Sequence, residues 1–284
     1  MRSKHWLHLL TAAALVHCVS VANAAIAGDP QSLATTPAGA AALTSCNLPG
    51  VVQPARCGAF DRPENPNRPD GRRIPVGVAV IPAAGGKALP DPIVVLMGGP
   101  GEEAISAAAV FAERFASLLQ ERDLLLVDQR GTGRSGALRC DLSSTEDPAA
   151  NLRDFLPLAA VKRCEQQLRE QADLTQYSYA HFANDLEHVR RALGYGPLNL
   201  SAGSYGTRAA QVYLRAYPQS VRTAYLGSVV PIDLAIPLPL ANAAQTAFEK
   251  TFAACAADFA CHAAFPNLRD EFHEVVARLD SGVR

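Results

Sequence analysis

A serine flanked by small residues stands in the run Leu198-Asn199-Leu200-Ser201-Ala202-Gly203-Ser204-Tyr205-Gly206-Thr207. The residues before Ser204 read as a buried strand and those from Tyr205 to Ala216 as a helix, so Ser204 falls on a strand-to-helix corner. A corner that sharp strains the serine backbone and leaves no room for side chains two positions to either side. Ala202 and Gly206 occupy those two positions, with Ala202 a mild departure from a Gly-x-Ser-x-Gly pattern. The chemistry such a corner offers is nucleophilic attack on a carbonyl, which also needs a base and backbone N–H groups aimed at the developing oxyanion. Tyr205 N–H, next after the nucleophile, is the first expected donor. The second is expected from Met97-Gly98-Gly99-Pro100-Gly101, with Gly99 as first choice and Gly98 as the alternative, because glycines let the backbone approach closely. Ser201 has a weaker claim, since it lies within the strand.

The elements that must position this corner can be read from periodicity. Ile93-Val94-Val95-Leu96-Met97 and Leu124-Leu125-Leu126-Val127 are continuous apolar runs, as strands covered on both faces must be. Residues 74–81 alternate with period two and predict a half-buried strand near a sheet edge. Helices are predicted over 104–119, over a stretch holding Phe182, Leu186, Val189 and Leu193 that Gly194 ends, and over 205–216. A further strand is predicted over 224–230. Alternating strands and helices imply an α/β fold with a doubly wound, mostly parallel sheet. Residues 25–72, rich in Pro, Gly, Ala and Asn, predict an irregular segment, and after Pro231 the chain reads as two or three helical pieces.

A second glycine pattern, Gly131-Thr132-Gly133-Arg134-Ser135-Gly136, fits Gly-x-Gly-x-x-Gly but fails as a dinucleotide site, because no helix opens after it to face a pyrophosphate. Gly98-Gly99-Pro100-Gly101 lacks the Gly-Lys-Ser/Thr ending of a phosphate loop. Asp128, Arg130 and the glycines around 131 are expected to hold loops near the site. Glu249, Glu271 and Glu274 could meet a substrate amine, but solvated helix faces account for them.

Of the 284 residues, 26 are Lys or Arg and 27 are Asp or Glu, a net charge of -1 that argues against a nucleic-acid partner. Arg2 and Lys4, the apolar run from Trp6 to Val16 and small residues before a cut after Ala24 read as a signal peptide over 1–24. The apolar run is too short to span a membrane, which takes about 20 residues, so export is expected, to a periplasmic or extracellular location with no membrane anchor after cleavage. Losing Arg2 and Lys4 takes the charge from -1 to -3. Six cysteines follow the cut, and an even number in an exported chain favours disulfides. Their sequence-local pairing, Cys46 with Cys57, Cys140 with Cys164 and Cys255 with Cys261, is preferred among 15 connectivities. Zinc is disfavoured by the absence of ligand spacing.

Taken in order, Met97-Gly98-Gly99-Pro100-Gly101, Asp128-Gln129-Arg130-Gly131-Thr132-Gly133-Arg134-Ser135, Asp185-Leu186 with Arg190 to Tyr195, and Gly203-Ser204-Tyr205-Gly206-Thr207 resemble the α/β-hydrolases similar to proline iminopeptidases and tripeptidyl aminopeptidases. The resemblance spans residues 93–231. It implies a serine peptidase acting at peptide N-termini, a hydrolase core over 73–235, the start of a helical cap over 236–284, and no metal or organic cofactor. Exported members of this resemblance carry cysteine pairs that suit Cys140 with Cys164 and Cys255 with Cys261. An esterase, or a non-catalytic module on the same scaffold, shares the visible residues.

In such a fold the triad runs Ser, then acid, then His, on loops after later strands. Beyond Ser204 the histidines are His262 and His273, both in cap-like helices with no strand before them to position a base. The chain is therefore expected to stop inside the cap, with an incomplete sheet, with acid and base lying outside it, and with little activity or stability of its own. Its partner is expected to be a peptide or a small acyl substrate; pattern and composition leave the oligomeric state open.

Overall fold

The computed structural model describes residues 43–140, 157–236 and 238–281. The signal peptide, the cut after Ala24 and the first part of the expected irregular segment lie outside the described residues. Seven strands form one sheet: β1 (Thr44–Cys46), β2 (Ala55–Pro63), β3 (Arg73–Ile81), β4 (Ile93–Leu96), β5 (Leu124–Val127), β6 (Leu198–Gly203) and β7 (Val221–Gly227), in the order β1-β2-β3-β5-β4-β6-β7. From β5 through β4 and β6 to β7 the pairing is parallel, while β1, β2 and β3 extend the sheet as an antiparallel meander that meets β5 antiparallel. The helices are α1 (Ala108–Arg114), α2 (Leu158–Gln171), α3 (Tyr179–Ala192), α4 (Gly206–Ala216), α5 (Leu238–Ala257), α6 (Phe259–Ala264) and α7 (Leu268–Asp280).

The apolar runs divide between the two faces by parity. Val94 and Leu96 of β4, Leu125 and Val127 of β5 and Leu198, Leu200 and Ala202 of β6 pack against Phe182, Leu186 and Val189 of α3 and Ala209, Ala210 and Tyr213 of α4. Ile93, Val95, Leu124 and Leu126 face the other way, onto Ala104, Ile105, Ala108 and Leu119. Helices on both faces explain why β4 and β5 are apolar at every position. The predicted helix over 104–119 forms only over Ala108–Arg114, with a 3-10 turn at Leu118–Gln120.

Two expectations change. Part of the stretch 25–72 predicted to be irregular is sheet, since Thr44–Cys46 and Ala55–Pro63 are strands and β2 pairs with β3 from Arg56↔Val80 to Pro63↔Arg73. The Cys46–Cys57 bond staples the first two strands together. In consequence β3 is an interior strand rather than a half-buried one near an edge. Its apparent polar face consists of the small residues Gly77 and Ala79, and Gly77 N–H donates to the buried Ser135 Oγ at 2.8 Å. The sheet edge on the other side is β7, where Tyr225 is 61% exposed.

The α3–α4 contact, on which the corner helix rests, is tied by a buried carboxylate. Glu187 accepts from Tyr213 Oη at 2.7 Å and from Arg190 at 2.8 Å, and Arg191 joins them. Burial pushes the Glu187 carboxyl up, but the hydrogen bonds from Arg190, Tyr213 and Arg191 outweigh it and hold the group at about 2. A carboxyl lowered in the folded state adds stability that is fully present above its unfolded value of 4.5 and is lost as the pH falls towards 2. Glu187→Gln is therefore expected to cost about 3 kcal/mol at pH 7, with the gap to the wild type closing on acidification. Denaturant unfolding of both proteins across that range checks it; a gap that does not change with pH would refute the assignment.

Candidate active site

Ser204 lies at the junction of β6 and α4 with φ at +44°, one of two non-glycine residues among those described in the left-handed region. An L-residue there costs about 1–2 kcal/mol, so the surroundings must hold it. Ser204 N–H donates to Gly227 O at 2.9 Å, which ties the corner to the end of β7. Thr207 Oγ1 donates to Ser204 O and accepts from Val230 N–H at 2.9 Å. Thr207 is fully buried and clamps the corner to the loop after β7, a role the sequence pattern does not reveal. Beneath the corner Gly206 presses on β4: a Cβ there would come within 2.1 Å of Leu96 O and 2.5 Å of Met97 O. The Ser204 side chain is exposed, and its hydroxyl is free of hydrogen bonds among the described residues.

The loop Met97–Gly101 meets the corner from the end of β4. A Cβ on Gly98 would come within 3.3 Å of Gly203 O and 3.6 Å of Ser204 Cβ, so the two segments are in backbone contact. Tyr205 N–H donates to Gly98 O at 2.9 Å and Gly99 N–H to Glu102 Oε2 at 3.1 Å. Tyr205 N–H adjoins Ser204 in the chain and Gly99 follows the glycine that touches the corner, and both of these expected donors are engaged internally in this structure. Below them a cleft of about 260 Å³ runs between Gly98, Ser201, Gly203, Tyr225, Gly227 and Ser228. Ser201 thus borders a cleft although it lies within β6, while its backbone is ordinary strand. The Tyr205 ring leans on Tyr179 at a centroid distance of 5.2 Å, and burial, followed by the contact with Tyr179, pushes its hydroxyl up.

The second glycine loop is built around Asp128, which is fully buried at the end of β5. Its carboxylate accepts from Ile105 N–H at 2.9 Å and Arg134 N–H at 2.8 Å, joining the start of the α1 region to the loop after β5. Burial pushes the Asp128 carboxyl up against these bonds, and Glu103 adds to the rise. Gly133, at φ +43°, leaves room for that carboxylate, because a Cβ would lie 2.3 Å from Asp128 Oδ2. Arg130 makes a two-pronged ion pair with buried Asp185 at 2.8 and 3.0 Å and donates to Glu64 O and Gln176 O. Arg62 adds a third donor to Asp185 at 3.3 Å. Every contact made by Asp128 and Arg130 is thus structural, as their sequence setting predicts.

The described histidines stand elsewhere. His181 Nδ1 meets Gln176 O and His188 lies edge-on to Phe60. His262 is on α6, and His273 of α7 packs beside Phe252 and Phe272. Among the described residues no group of three or more His, Cys, Asp or Glu is placed to hold a metal ion. The three sequence-local cysteine pairs are bonded, Cys46–Cys57, Cys140–Cys164 and Cys255–Cys261, as in a protein from outside the cytoplasm. No described helix is long and apolar enough to cross a membrane.

Comparison with known proteins agrees with this architecture. The chain is 30% identical over 226 residues to serine protease Hip1 of Mycobacterium tuberculosis (strain ATCC 25618 / H37Rv), covering 73% of this chain and 42% of that one. It is 30% identical over 199 residues to tripeptidyl aminopeptidase of Streptomyces lividans, covering 65% and 36%. With proline iminopeptidase of Aeromonas sobria the identity is 32% over 145 residues, covering 49% and 29%. The chain spans less than half the length of each of these relatives. A family model described as the alpha/beta hydrolase fold matches residues 91–262, through both loops and the serine corner. That match covers more than half of the chain, which therefore belongs to the α/β-hydrolase family.

Proposed function

We propose that this protein is an exported serine peptidase that removes residues from the N-termini of peptides through an acyl-enzyme. The observation that carries the reading is Ser204 itself, an exposed hydroxyl on a residue held at φ +44° between β6 and α4. Strain of that kind persists where the surroundings enforce it, and it gathers at functional sites. Ser204 Oγ would attack the scissile carbonyl while a base takes its proton. The oxyanion would bind Tyr205 N–H and Gly99 N–H once these turn from their present acceptors. Collapse of the tetrahedral species expels the amine and leaves an ester on Ser204, which water then hydrolyses. No described histidine bonds to Ser204, and the reading assigns the acid and base to none of the described residues. The names of the relatives favour a peptidase over an esterase, and the three disulfides favour export.

The test uses the natural full-length protein. A fluorophosphonate is expected to label Ser204, and aminoacyl or peptidyl amides to be cleaved in preference to short acyl esters. Turnover of esters alone would refute the peptidase reading, and sustained failure of labelling would make the fold a non-catalytic scaffold.

A further inference from the structure

The donor loop carries an acidic side chain that the mechanism above does not use. Glu102 folds back over Gly99, with its carboxyl carbon 2.4 Å from where a Gly99 Cβ would stand and its Oε2 accepting the Gly99 N–H at 3.1 Å. A carboxylate on that amide excludes a second anion, since an oxyanion approaching the same N–H meets both an occupied donor and a like charge. The neighbouring donor, Tyr205 N–H, is held by Gly98 O, so the loop is closed to an oxyanion as it stands. A group that draws Glu102 away must bind the carboxylate better than the amide does, because a ligand shifts an equilibrium only by its differential affinity. A cation does this.

Resting on the aminopeptidase reading, we propose that Glu102 is the receptor for the substrate's free α-ammonium, and that the ammonium frees the Gly99 amide by taking the carboxylate from it. The geometry also selects which carbonyl is cleaved. In an amino-terminal residue the ammonium nitrogen and the carbonyl oxygen are three bonds apart, roughly 3 Å. An ammonium that draws the carboxylate just off Gly99 N–H, and stays paired with it there, therefore brings its own residue's carbonyl oxygen to the freed N–H. A tripeptidyl substrate would place its ammonium about 7 Å further away, two extended residues distant. The substrate class is accordingly a peptide with a free N-terminus, from which single residues are released.

The experiment compares the natural full-length protein with Glu102→Ala and Glu102→Gln on four substrates: an aminoacyl amide, its N-acetylated twin, a tripeptidyl amide and a short acyl ester. The wild type is expected to favour the free aminoacyl amide over the N-acetylated one by about 100-fold in kcat/KM, of which both variants lose at least about tenfold. Ester turnover is expected to rise in Glu102→Ala, because the amide is no longer capped, and Glu102→Asp is expected to recover part of the amine preference. Variants that keep the full preference, or a wild type that favours the tripeptidyl amide, overturn the assignment of Glu102 and leave the aminopeptidase reading standing. Loss of all four activities in parallel overturns it in favour of a structural role. Wild-type hydrolysis of the ester alone removes the aminopeptidase reading itself.

Discussion

Ser204→Ala in the natural full-length protein is expected to lower kcat/KM by about a hundred-thousand-fold while leaving the melting temperature almost unchanged. The size of the loss follows from the loss of the acyl-enzyme route, since what survives removal of a serine nucleophile is the small acceleration from binding and oxyanion donors. The stability expectation comes from the corner. The Ser204 hydroxyl makes no hydrogen bond among the described residues, whereas its N–H and carbonyl, which do, are retained in alanine. Backbone strain at φ +44° is common to both residues. Ser204→Gly separates strain from chemistry: it is expected to be as inactive as alanine but about 1 kcal/mol more stable, because glycine alone occupies that region without penalty. Paired turnover and thermal unfolding measurements decide it. An alanine variant keeping more than a tenth of the activity would move the nucleophile elsewhere, with Ser201 the next serine to examine.

How far the sequence leads to this corner depends on how local each signal is. The corner serine, the parallel strands β4, β5 and β6, helices α3 and α4 and the three disulfides were legible because each is written in a short run: apolar stretches, a helical repeat, small residues around Ser204, close cysteine pairs. Strand β2 was not, because Ala55–Pro63 holds Gly58, Pro63, two arginines and an aspartate, and it is a strand only by pairing with β3 along its length. Helix α2 carries no fully buried residue, and its apolar stripe, Ala160, Val161, Cys164 and Leu168, is only half-buried; a disulfide at Cys164 ties it to Cys140. The two expected donors, Tyr205 and Gly99, can be named from the sequence, but their engagement by Gly98 O and Glu102 depends on side-chain and loop geometry that no spacing encodes. Thr207 was hidden for the same reason. A threonine after the corner glycine looks like any helix residue until Val230 is folded against it.

The corner's dependence on backbone contact gives the second large effect. Gly206→Ala is expected to destabilise the fold by about 2 kcal/mol and to reduce turnover by about 100-fold in the molecules that fold. Alanine is the better helix former, by up to about 1 kcal/mol, so propensity alone predicts the opposite sign. Contact decides otherwise, because the added methyl would stand 2.1 Å from Leu96 O and 2.5 Å from Met97 O. Leu96 is the last residue of β4 and pairs with Ala202 of β6, and Met97 follows it directly, so both oxygens are backbone atoms that cannot step aside as a side chain would. The helix must move instead, by about an ångström to reach ordinary contact, and overpacking of this kind costs roughly 1–3 kcal/mol or more. Because Gly206 is two residues from Ser204 and opens α4, the same displacement carries Ser204 and Tyr205 away from the Met97–Gly101 loop, and a misplacement of about 1 Å can cost 100-fold in rate. Gly203 supplies the control, since a Cβ there meets nothing within 4 Å although it neighbours the serine directly. Gly203→Ala is expected to stay within about 0.5 kcal/mol of the wild type. Denaturant unfolding and steady-state turnover of the two variants side by side make the comparison. Equal behaviour at positions 203 and 206 would mean that the corner is not pinned by β4 and that the placement of Ser204 rests on some other contact.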